Sequence, residues 1–129
     1  MALIGTKLRS LSGSQVAFRC PGCQEHHAIP VGAGDGPHWN WNGDGSAPTF
    51  TPSILVRTIR APRAAEQMTK EEEDEYDAIY AAGGREAVFA SRFGWICHSF
   101  VTAGKIKFLG DCTHALAGQT VDLPDMQAD

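Results

Sequence analysis

A small, mainly β (α+β) domain with one inserted helix is the fold class this sequence predicts. The chain is punctuated by Gly 14 and Pro 7, and its apolar residues recur mostly at every second position, the period of half-buried strands. Only one stretch, rich in acidic residues, has the period of a helix. A Cys-x-x-Cys pair near the N-terminus and a Cys/His-rich last third supply metal-ligand side chains. Together these suggest an antiparallel sheet or sandwich stapled by zinc.

The elements follow in order. Residues 14–20 alternate Val16 and Phe18 with polar neighbours, and Pro21-Gly22 turns the chain at once. After Cys23 the chain leaves through Gln24-Glu25-His26-His27 into a short extended Ala-Ile-Pro-Val, so the cysteine pair sits at a hairpin tip. A glycine-rich loop over 31–37 leads to Trp39 and Trp41, which lie two apart on one strand face and read as core and rim of a sheet. Asn42-Gly43 then favours a tight turn. Pro48 and Pro52 argue against a central strand over 48–53, whereas residues 54–59 are a good β run. Residues 61–93 change texture and read as a helical insertion. Thr69 with Glu72 forms a capping box, Tyr76, Ile79 and Tyr80 share a helical face, and Gly83-Gly84 supplies the stop. The acidic run is the solvated first turn of that helix. The last third is a hairpin, 94–101 and 105–109, then one short helical turn, an extended 119–123, and a flexible tail over 125–129.

At 129 residues the chain has the size of one domain spanning 1–129. Its net charge is −4, and its basic residues are scattered, so nucleic acid is not an expected partner. No apolar run is long enough to cross a bilayer, and the N-terminus lacks the apolar core of a secretory signal. A cytoplasmic location is expected, and in a reducing compartment Cys20, Cys23, Cys97 and Cys112 read as metal ligands rather than disulfides.

A hairpin turning over 102–104 places Cys97 across from about Leu109 and brings Cys97 and His98 near Asp111, Cys112 and His114. Under that register Ile96, His98, Phe100, Ile106 and Phe108 share the apolar face, and Cys97 lies on the other with Ser99 and the lysines. His98 then faces the core. A tetrahedral zinc would take Cys20, Cys23, His98 and His114, with Cys112 and Cys97 in reserve. Asp111 with His114 could act beside a metal-bound water as the base of a zinc hydrolase. Cys23-x-x-His26 with Cys112-x-His114 has the ligand content of a Rieske iron-sulfur centre, in reversed order. No Ser-His-Asp pattern, phosphate-cradling loop or His-Glu-x-x-His helix is legible.

The segments FRCPGCQEHHAIPV, WNWNGDGSAPTFTPSILV, GGREAVFASRFG and CHSFVTAGKIKFLGDCTHALAGQTVDLP, spanning about residues 15 to 124, resemble a family of small Cys/His-rich proteins of tailed phages and prophages labelled "ammonia monooxygenase". The resemblance implies a phage or prophage origin and a shared set mapping onto Cys20, Cys23, Cys97, His98, Cys112 and His114. It implies no ammonia oxidation, which needs transmembrane helices and copper ligands. The expectation is therefore a zinc protein that binds another protein in the host cell cytoplasm, in counter-defence for example, with no assigned oligomeric state.

Overall fold

The computed structural model describes residues 2–32, 36–60 and 67–126. Part of the glycine-rich loop, the expected start of the helical insertion and the last residues of the expected flexible tail lie outside them. The chain forms two compact units, Met1–Ile54 with Cys97–Asp129, and Leu55–Ile96. The fold is mainly β, with two antiparallel sheets and one helix among the described residues.

In the first unit, β1 (Leu3–Ile4), β2 (Leu8–Leu11), β3 (Gln15–Cys20) and β4 (Glu25–Pro30) form a four-stranded meander in sequence order. Alternation explains what β3 and β4 bury. Phe18 pairs with His27 and Val16 with Ile29, and directly opposed residues share a face. Phe18, Val16, Ile29 and His27 are accordingly all buried. The first two strands carry no strong periodicity and were not expected from the sequence.

The second sheet has the order β5-β6-β7-β8-β9, with β5 (Asn40–Trp41), β6 (Phe50–Ile59), β7 (Gly94–Thr102), β8 (Lys105–Phe108) and β9 (Thr120–Asp122). Strands β6 and β7 each run from one unit into the other. Pro52 lies inside β6, contrary to the proline argument. The pairing with the two-residue β5 involves only Phe50 and Thr51, so Pro52 removes no bond from that ladder. The turn over 110–118 is a series of turns rather than helical. The interior of this unit is aromatic and aliphatic, built on Leu8, Phe18, Phe50, Val101, Ile106, Phe108 and Leu123. Phe18 and Phe50 stack with ring centroids 6.3 Å apart, and burying each such side chain contributes about 1.5–3 kcal/mol.

The register of the β7–β8 hairpin decides the site. Ala103 and Gly104 both have positive φ, 50° and 80°, so the turn has two residues and not three. Thr102 pairs with Lys105, Val101 with Ile106, and Ser99 with Phe108. This is a one-residue slip from the expected register, and it exchanges the faces. Cys97, Ser99 and Val101 are buried, whereas His98 is half-buried and Phe100 exposed.

The second unit carries α1 (Lys70–Phe89). Thr69 Oγ1 accepts the Glu72 N–H at 3.2 Å, and Glu72 Oε1 accepts the Thr69 N–H at 2.8 Å, the expected capping box. Gly83-Gly84 does not stop the helix. Gly84 adopts φ 69°, ψ −160° and joins two helical segments at a kink. Tyr76 packs on Tyr80 and edge-on to Phe93. Among the described residues no helix is long and apolar enough to cross a membrane.

Candidate active site and metal centre

Strand β7 presents neighbouring residues to opposite sides. On its open side, His98 Nε2 lies 3.1 Å from Ser53 Oγ and His98 Nδ1 lies 3.0 Å from Asp111 Oδ2. A carboxylate only accepts, so Nδ1–H donates to Asp111, and in the tautomer that carries its proton there Nε2 accepts from the Ser53 hydroxyl. This is a nucleophile, a base and an orienting acid in one chain of hydrogen bonds, the arrangement that activates a serine for acyl transfer. The residues come from β6, β7 and the turn after β8. Ser53 and His98 are half-buried, and Asp111 has 53% of its side chain exposed.

The backbone around the triad is tied down. Trp39 Nε1–H donates to the Ser53 carbonyl at 3.2 Å. Leu109 N–H donates to the His98 carbonyl at 2.9 Å. Cys112 Sγ accepts the His98 N–H at 3.2 Å and donates to the His98 carbonyl at 3.2 Å. Cys112 also adjoins Asp111, so the sulfur holds the base and the residue beside its orienting acid together. Burial pushes the Cys112 thiol up from its ordinary range, keeping it a donor.

On the buried side of β7, Cys97 meets the tip of the β3–β4 hairpin. Cys20, Cys23, His27 and Cys97 are all buried, with ligand atoms within 4.8 Å of one another, a group that can hold a metal ion. Cys23 N–H donates to Cys20 Sγ at 3.4 Å. His27 Nε2 is buried without a hydrogen-bond partner among the described residues. Burial disfavours a charged His27, but the Cys20 and Cys23 thiols outweigh it and raise the ring to about 9. Close interaction with Cys20 and Cys23, and then burial, push the Cys97 thiol far up. A buried imidazole nitrogen left without a partner beside three sulfurs is the donor set that a divalent cation takes up.

Of the residues expected to bind metal, Cys20 and Cys23 lie in this group and Cys97, held in reserve, completes it with His27. His114 lies in a second group with Cys97 and Cys112. Its ring packs on the hairpin tip so closely that a Cβ on Gly22 would fall 2.3–2.6 Å from ring atoms. His98 belongs to neither group. The corrected register turns it to the open face, where Ser53 and Asp111 take both ring nitrogens. Asp111 is hydrogen-bonded to His98 rather than poised over a metal-bound water. The Rieske pairing does not assemble, because His26 is exposed on the opposite face of β4 from His27. His27, one of the imidazoles that lie beside the cysteines in the sequence, stays out of the expected four-ligand set because the expected extended segment begins at Ala28. Its alternation with Ile29 was the signal that could have found it.

The fold and the two sites define a small β protein with a hydrogen-bonded Ser-His-Asp set backed by a buried Cys/His cluster. Over residues 4–109 the sequence matches the family BubE, the bacterial ubiquitination-like system serine protease, and the chain belongs to that family. The match includes Ser53 and His98, and Asp111 lies just beyond it. No curated protein and no solved structure matches the chain. The family match overturns the expected function, a phage-type zinc protein acting by protein interaction or counter-defence, and the triad corrects the reading that no Ser-His-Asp pattern exists.

Proposed function

We propose that this chain is a serine protease of a bacterial ubiquitination-like system, cleaving a protein acyl bond through Ser53, His98 and Asp111. The observation that carries this reading is the continuous hydrogen-bond path from Ser53 Oγ through His98 to Asp111. As Ser53 Oγ attacks the carbonyl carbon, its proton passes to His98 Nε2, and Asp111 stabilises the imidazolium. The proton then moves to the leaving nitrogen as the C–N bond breaks, which leaves an acyl ester on Ser53. His98 next takes a proton from water, whose oxygen attacks the ester, and returns it to Ser53 Oγ as the acid product departs. Electrons and protons balance without a redox partner.

Zinc is the metal that best suits the buried group. Three cysteines and one histidine match a closed tetrahedral site, and the Cys20 Sγ···Cys97 Sγ separation of 3.8 Å is about the edge expected between two thiolates on one zinc. Cys20, Cys23, His27 and Cys97 would hold the ion, which would supply a structural cross-link and no catalytic step. None of the four cysteines is in a disulfide, which suits the reducing cytoplasm.

Incubation with a fluorophosphonate tests the reading. A single covalent adduct on Ser53, absent from Ser53→Ala and strongly slowed in His98→Ala, is expected. An adduct that forms equally on Ser53→Ala, or no adduct on the folded native chain, contradicts it.

A further inference from the structure

The face of the second sheet that carries His98 continues past it. Phe100 and Thr102 follow on the same side of β7, because alternate residues share a face. Across the sheet the register joins Phe100, Lys107 and Thr120 into one row, and Thr102, Lys105 and Asp122 into the next. Rows two residues apart are separated by about 7 Å. Phe100 is one of few large apolar side chains left open, at 42% exposure. With Thr102, Lys105, Lys107 and Thr120 it lines a shallow depression of about 490 Å³. Lys105 is held by Asp122 at 2.6 Å. Lys107, exposed directly across from Phe100, presents its charge in the same row as the apolar ring.

We propose that this face is the specificity surface of the protease. It would receive the extended segment of the protein substrate that flanks the scissile bond, with an apolar side chain on Phe100 and the carboxylate of a residue two positions away on Lys107. The inference rests on the triad reading. Three features favour this occupant over a second copy of the chain or a small ligand. The surface is continuous with the base on one strand face. Its spacing matches successive same-side residues of an extended peptide. It offers an exposed cation beside an apolar ring, two contacts that the side chains of one peptide segment can make together.

The test is cleavage selection from a displayed random-peptide library by the native chain, Phe100→Ala and Lys107→Glu, with fluorophosphonate labelling of Ser53 measured in parallel. Peptides released by the native chain are expected to carry an apolar residue two positions from Asp or Glu on one side of the bond. Phe100→Ala should lose the apolar preference, and Lys107→Glu should lose the acidic preference or exchange it for a basic one. On a selected peptide each variant should lower kcat/KM by roughly tenfold or more, carried by KM. Labelling of Ser53 should be unchanged, because neither residue touches the triad. A native library without this preference, no released peptides, or variants that select the native pattern would overturn the surface while leaving the triad standing. Failure of Ser53 to label in the native chain would instead remove the reading on which it rests.

Discussion

The two faces of β7 have the same backbone and opposite chemistry. Cys97 looks into a closed group of sulfurs and an imidazole, where every atom is committed to holding the chain together. One residue on, His98 is half-buried on the other face with both ring nitrogens engaged, by Ser53 and Asp111. A closed face gives position, and an open face uses it. The difference teaches why a chain this small can hold a triad: the ligand residue and the base are adjacent, so whatever fixes Cys97 fixes the peptide unit leading to His98.

Substitutions can pull the two faces apart. Ser53→Ala should have the largest effect on turnover, a loss of roughly 10⁴- to 10⁶-fold measured on a cleavable peptide. It should leave the thermal midpoint close to that of the native chain, because a half-exposed hydroxyl contributes little to packing. Asp111→Asn should cost roughly 10²- to 10⁴-fold, and the lower end is expected because water can reach this carboxylate. Equal losses of activity and stability in either variant would break the division between faces.

Cys97→Ala should do the reverse, removing a buried ligand and lowering stability by several kcal/mol, as loss of a structural metal does. Metal content per chain and the midpoint of chemical unfolding would show it. A folded Cys97→Ala protein with native metal content would place the ion elsewhere. In the second unit, Thr69→Ala should cost about 1 kcal/mol by removing the capping box, with no change in Ser53 labelling.

The smallest effect concerns pH. The Arg92 guanidinium beside Glu75 and the Lys105 ammonium beside Asp122 hold these carboxyls below their ordinary range. Groups depressed in the folded state stabilise it above the ordinary carboxylate pKa, and that contribution fades as pH falls through the depressed values. Both are fully exposed, so Glu75→Gln should flatten the acid limb of a stability profile only slightly.

Much of the fold was legible. The alternation around Val16 and Phe18, the Thr69-Glu72 box and the Cys-x-x-Cys turn each rest on local chemistry, and each appears where it was expected. The triad was not legible, because Ser53 sits on a strand without a nucleophile-elbow signature, and Asp111 and His98 meet it only through sheet pairing. The error at His98 has a single cause. Reading the turn as 102–104 instead of Ala103-Gly104 shifts the register by one, and a period of two converts that shift into a reversed face. The same slip places Cys97 on the lysine face and away from the buried Cys/His group, so one turn residue decided both sites.

The claim that one strand serves both faces is tested most directly by following the rate of fluorophosphonate adduct formation at Ser53, by intact mass, while the metal is withdrawn by a chelator and then restored. Labelling should fall in step with metal content and return when zinc is added. A chain stripped of metal that still labels Ser53 at the native rate would contradict it.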